Sequence, residues 1–168
     1  MHDAVDDVLA QWRAERPDLD ASPMGVIGRI FRAQRRLEKA LRDNFAAFDL
    51  QHHEFDILAT LRREGAPFRM TAGALVKSSM VTYGAITNRI DRLEAKGLVT
   101  RRTDASNRRS VLIALTDKGL RLVDEAVERH VALEAELLSS LEVEDRERLA
   151  ALLKQLLLGL GDGVTQEQ

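Results

Sequence analysis

Thr82, Tyr83, Thr87, Asn88 and Arg92 fall within the stretch VTYGAITNRIDRLE, and together they carry the chemistry of hydrogen bonding to base edges and phosphates. An asparagine amide matches the paired donor and acceptor of adenine in the major groove. Threonine donates, accepts or touches a thymine methyl, and arginine binds phosphate or guanine. Further on, TDASNRRSVLIALT sets Arg108 and Arg109 at the end of a polar turn, directly before a β-branched apolar run. Two guanidinium groups at a loop tip suit phosphates or a minor groove. Taken alone, the pair also suits a solvated loop or a local salt bridge to Asp104, and Thr82 also suits a helix cap. The elements around them must decide.

The distribution of charge points the same way. The 168-residue chain has a net charge of only -2. Residues 86–112, however, carry seven basic side chains against three acidic ones, a net +4, whereas residues 117–168 carry six against twelve, a net -6. A basic stretch inside an acidic chain presents one surface to a polyanion. The chain contains no cysteine, which excludes disulfides, thiolate metal sites and thiol redox sensing. The acidic start MHDAVDDVLAQW is unlike a signal peptide, and no apolar run reaches the length of a membrane span, so a cytoplasmic location is expected.

The expected fold is mainly α: a winged helix-turn-helix with a two-stranded wing, a helical dimerisation region and an extra N-terminal helix. The length suits a single domain, divided into N-terminal helices (1–48), the winged helix-turn-helix (49–116) and C-terminal helices (117–168). A first helix is expected over Asp3 to Arg16, stopped by Pro17. A second starts with Ser22 as cap and Pro23 at the first helical position, and its Val26, Ile30, Leu37, Leu41, Phe45 and Phe48 predict one buried face. HHEFDILATLRREG reads as a core helix and APFRM as an extended link. Thr71 caps a short helix, and a second helix follows from Thr82 to Lys96. GLVTRRT and RSVLIALT, joined by DASN, read as a hairpin. Thr116 caps the first of two closing helices. The second is leucine-rich on more than one side (Leu149, Leu152, Leu153, Leu156, Leu157, Leu158, Leu160), and a second copy of the chain is its economical partner.

At 100° per residue, Ile86, Ile90 and Leu93 share an inward face of the Thr82–Lys96 helix. That turns Asn88, Asp91 and Arg92 outward, with Tyr83 and Thr87 toward a flank. Arg89 stands at the edge of the buried face, where its guanidinium can line a crevice and take a planar anion by bidentate hydrogen bonds.

MTAGALVKSSMVTYGAITNRIDRLEAKGLVTRRTDASNRRSVLIALTDKGL resembles the winged helix-turn-helix of the MarR family of bacterial transcriptional regulators. The resemblance implies a homodimer, formed through the flanking helices, that reads a pseudo-palindromic double-stranded DNA operator and is released by a small effector. The chain departs from the family pattern at Asn107, where an aspartate commonly precedes the two arginines. QWRAERPDLD, SPMGVIGRI, EFDILATLRREGAP and TNRIDRLE are similar to the urate-responsive, PecS-like subgroup. That narrower resemblance implies a ligand site of Trp12, Asp56, Arg89 and Arg101 for urate or a similar small anion, a small carboxylate being the alternative. Read as residues, Trp12 is equally a core anchor for its helix, and Asp56 with Arg101 equally a structural ion pair.

Other chemistries find little support. His2, His52, His53 and His130 have no metal-ligand spacing, with His52 and His53 expected on a solvated helix start, and no metal or cofactor is implied. Met24, Met70 and Met80 read as core filler. No phosphate-binding glycine loop or nucleophile motif suggests an enzyme. A dimeric interaction module is the remaining rival, and it leaves the basic helix and wing without a purpose.

Overall fold

The computed structural model describes residues 2–78, 83–104, 107 and 110–162, of which 83–85 by backbone only. Among them are seven helices: α1 (Ala4–Glu15), α2 (Ser22–Ala46), α3 (His52–Arg63), α4 (Ala72–Ser78), α5 (Tyr83–Ala95), α6 (Asp117–Leu137) and α7 (Val143–Gly159). Three strands, β1 (Arg69–Thr71), β2 (Val99–Thr103) and β3 (Val111–Leu115), complete the set. The chain forms two compact units, Met1–Arg129 and His130–Gln168.

In the first unit, α1 starts at a capping box: the Asp3 carboxylate accepts from the Val5 and Asp6 amides, and Asp6 accepts from the Asp3 amide. Arg29 of α2 holds the same two carboxylates, donating to Asp3 at 2.9 Å and to Asp6 at 2.7 Å. This pins α1 along the start of α2. Ser22 is the first helical residue of α2 rather than its cap; the cap position falls on Ala21, and Asp20, one residue earlier, accepts the Ser22 amide at 2.9 Å.

The expected single buried face of α2 is only partly realised. Phe45 is fully buried and Leu41 and Phe48 are half-buried, but Val26 is 59% exposed and Leu37, Phe31 and Met24 are exposed too. Only the last turns of α2 lie on the core; its first turns have α1 beside them. The periodicity marks an apolar face without saying which molecule covers it. Met70 is buried as expected, and Met80 lies outside the described residues.

The core sits where α3, α5, the sheet and the start of α6 meet around Phe45, Leu58, Leu75, Ile90, Leu93 and Val123. Phe45 stacks on Phe55 at 4.3 Å between ring centroids and on His52 at 5.5 Å. Thr71 caps α4 as expected, accepting the Ala74 amide at 3.1 Å.

The sheet has three strands where a two-stranded wing was expected. Its antiparallel order is β1-β3-β2, with Met70 and Arg101 both opposite Ile113. The link APFRM therefore ends in a strand. Three residues are too few for a period-2 pattern; β1 pairs with β3 over its whole length, with buried Met70 opposite Ile113.

In the second unit, the end of α6 leads into α7, whose Arg146 donates to the Leu141 carbonyl at 2.9 Å. No residue of α7 is buried within the chain, and Leu149, Leu152, Leu153, Leu157, Leu158 and Leu160 are exposed. Among the described residues, no helix is long and apolar enough to cross a membrane.

Candidate nucleic-acid interface and ligand site

The recognition surface is built on α5, and three anchors fix that helix. Ile86, Ile90 and Leu93 are buried, as their spacing predicts. At its C-terminus Gly97 adopts φ 70°, so that the Gly97 amide reaches the Glu94 carbonyl (2.8 Å) and the Leu98 amide the Leu93 carbonyl (2.9 Å). This is a Schellman ending, a left-handed conformation that glycine adopts without a Cβ clash. Thr116 then joins helix, strand and α6: its hydroxyl donates to the Gly97 carbonyl (2.8 Å) and accepts the Gly119 amide (2.9 Å).

With the inward face occupied, Thr87, Asn88, Asp91 and Arg92 are exposed, as the helical spacing requires. Their hydroxyl, amide and guanidinium lie on one outward surface followed by the wing, where Arg102 is also exposed. Arg102 did not stand out in the sequence, although strand alternation from buried Val99 places it on the opposite face to Arg101. Tyr83 lies in the first turn of α5, and its side chain is outside the described residues, as are Thr82, Arg108 and Arg109.

The four residues of the implied ligand site stand on four different elements, α1, α3, α5 and β2. Trp12 sits on α1, 37% exposed, and among the described residues no hydrogen bond, ion pair or ring contact links it to Asp56, Arg89 or Arg101. Asp56 is half-buried on α3. Arg89 is half-buried on α5; its Nη1 is buried and meets no acceptor among the described residues. Arg101 does not pair with Asp56. Its guanidinium hydrogen-bonds Asp91, lies 3.4 Å from a Glu94 carboxylate oxygen and donates to the Thr87 carbonyl at 3.3 Å. The nearer carboxylates, on the helix packed against its own strand, take the guanidinium.

His53, expected on a solvated helix start, belongs to the same neighbourhood and is half-buried instead. Burial, first, and then the guanidinium of Arg89 hold its pKa below the ordinary 6.5, with Arg92 and His52 adding and Glu54 opposing. Asp56, three residues on, shares its helix face. The flank of α5 bearing Arg89 thus faces His53. Because the folded pKa is depressed, the unfolded chain binds a proton that the folded chain refuses as pH falls below about 6.5. This contribution to stability is complete above that value and is lost below it. His53→Gln is expected to lose fewer degrees of Tm than wild type between about pH 7.5 and about pH 5.5, read by thermal unfolding. Equal losses would remove His53 from the balance.

A helix-turn-helix, a wing behind it and a polar, partly basic outer face on the second helix define a winged-helix DNA-binding protein. The MarR family pattern matches residues 50–111. The chain is 44% identical over 149 residues to the HTH-type transcriptional regulator PecS of Dickeya dadantii, covering 89% of this chain and 90% of that protein. The crystal structure of AbsC, a MarR family regulator from Streptomyces coelicolor, superposes with a TM-score of 0.77 at 25% identity, covering 86% of this chain and 98% of that one. A structure of Bordetella bronchiseptica BpsR, described with regulation of its DNA binding by 6-hydroxynicotinic acid, gives 0.70 at 25% identity, covering 78% and 91%. The chain belongs to the MarR family and is a DNA-binding transcriptional regulator.

Proposed function

We propose that the chain is a homodimeric repressor, acting in the cytoplasm by binding rather than turnover, that leaves a pseudo-palindromic operator when a small planar anion of the urate type engages Arg89. The observation that carries the ligand reading is the buried Nη1 donor of Arg89, which has no acceptor among the described residues. A buried guanidinium donor without an acceptor costs free energy that an anion relieves. The regulation of BpsR by 6-hydroxynicotinic acid, an aromatic acid, supports the ligand class. His53, whose charged form Arg89 opposes, would offer a ring nitrogen to the ligand's remaining edge, with Asp56 on the same face of α3. Trp12 of α1 would stack on the planar ring, as the resemblance to the urate-responsive subgroup implies.

The exposed apolar side chains of α2 and α7 support a second copy as their cover. Dimerisation would set two α5 helices about 34 Å apart, one turn of DNA. Thr87, Asn88 and Arg92 would meet bases and phosphates, with Thr82 and Tyr83 at the helix start and Arg108 and Arg109 on the flanking groove.

The test is a duplex titration on the region upstream of the protein's own gene, with urate and with citrate. Wild type is expected to be released by urate, and Arg89→Ala to stay bound at urate concentrations that release wild type. Asn88→Ala should reduce discrimination at one base position by about tenfold. Release by citrate alone would replace the signal, and an Arg89→Ala protein released like wild type would remove Arg89 from the site.

A further inference from the structure

The two arginines of the implied ligand site lie on different sides of α5. Thr87, Asp91 and Glu94 follow one another at i, i+4 and i+7 and form a single stripe along the helix. Arg89 stands about 140–160° round the helix from that stripe. Its flank faces His53 of α3, whereas the stripe faces β2 and receives Arg101. Arg101 is well placed for this. It lies on the same face of β2 as buried Val99, opposite Ile113, so its side chain leaves the strand toward the helix. The side chain is 28% exposed, held by one carboxylate hydrogen bond, a second carboxylate at 3.4 Å and the Thr87 carbonyl. Its own backbone amide also donates to the other Glu94 oxygen, at 3.3 Å. Both backbone and side chain of one strand residue are therefore fastened to one stripe of the recognition helix.

We propose that Arg101, Asp91 and Glu94 form a clasp that sets the angle between the wing and the recognition helix, so that Asp91 is a positioning residue for DNA binding. Helix and wing reach two different grooves of one duplex and must arrive together. A wing free to swing loses conformational entropy on binding, and the clasp removes that loss beforehand. The reading rests on the DNA-binding function and is independent of the Arg89 ligand site.

Asp91→Asn separates the clasp from simple electrostatics by sign. Removing a negative charge from the exposed face of a DNA-reading helix strengthens binding if charge is all that matters. If the clasp positions the wing, the same change weakens it. The expected result for Asp91→Asn is a Kd about fivefold higher than wild type on the own-gene upstream duplex or, failing that, on a duplex selected from a random pool. Asp91→Glu, which keeps the charge on this stripe, should remain within about twofold of wild type. Amide hydrogen exchange over residues 99–103 of the free protein should quicken in Asp91→Asn and not in Asp91→Glu. Tighter DNA binding by Asp91→Asn, or exchange in β2 as slow as in wild type, would overturn the clasp. Wild type that binds no duplex at all would instead overturn the DNA-binding reading, with the exchange comparison still deciding whether Arg101 is held by Asp91.

Discussion

Gly119→Ala is expected to destabilise the winged-helix unit by about 3 kcal/mol or more, lowering Tm by roughly 10 °C. Gly119 lies in the first turn of α6, where its amide caps onto Thr116 and its α-carbon rests against the end of the recognition-helix turn. A Cβ added there would sit 2.0 Å from the Leu98 carbonyl oxygen and 2.9 Å from the carbonyl carbon. Real Cβ atoms do not approach that closely, and the obstacle is backbone, so no rotamer change relieves it. That carbonyl already accepts the Thr116 amide at 3.0 Å, and Leu98 is buried, so moving it disturbs both the sheet edge and the core. The alternative is to push α6 outward and lose the Thr116 cap, worth about 1 kcal/mol by itself. Urea or thermal unfolding followed by circular dichroism measures the effect. A Gly119→Ala protein within about 0.5 kcal/mol of wild type would show that α6 shifts freely, against the close packing described.

Gly119 also illustrates what the sequence does and does not disclose. Its place in LTDKG carried the family resemblance, but nothing in composition or periodicity says that a carbonyl lies where its side chain would be. Periodicity worked where a pattern is long and one-sided. Ile86, Ile90 and Leu93 are buried because a 13-residue helix lying on a core repeats its contact every turn or so. It failed for β1, three residues long, and for the front of α2, whose apolar face exists without a cover from its own chain. Single-residue caps at Thr71 and Thr116 were readable because the capping chemistry is local. The partners of Arg101 were not, since Asp91, Glu94 and Asp56 are equally carboxylates in the sequence. Only the register of β2 against β3, and the side of α5 that this strand packs on, selects the first two.

Lys96→Met is expected to cost about 2–3 kcal/mol and to loosen the far end of the recognition helix. Lys96 follows the last residue of α5, and its ammonium donates to Glu54 at 3.0 Å and to the Asp49 carbonyl, with the Asp49 carboxylate at 3.7 Å. Its own carbonyl accepts Lys118 at 2.8 Å. One residue thus ties α5 to the turn before α3 and to the start of α6. The Glu54 carboxylate is only 1% exposed, and besides Lys96 it accepts the Gln51 amide at 2.9 Å. Removing the ammonium leaves a buried carboxylate with one neutral donor, the situation in which breaking an ion pair is most costly. The figure is set below the 3–5 kcal/mol typical of deep pairs because Lys96 is 27% exposed and water reaches one side of it. The sign of the double variant is the sharper test. Glu54→Gln with Lys96→Met removes both charges while keeping an acceptor for Gln51, so it should be more stable than Lys96→Met alone by about 1 kcal/mol or more. Denaturant midpoints of the two single variants and the double complete the cycle. A double variant as unstable as the sum of its parts would mean that the two groups act separately and that the end of α5 is held by packing alone.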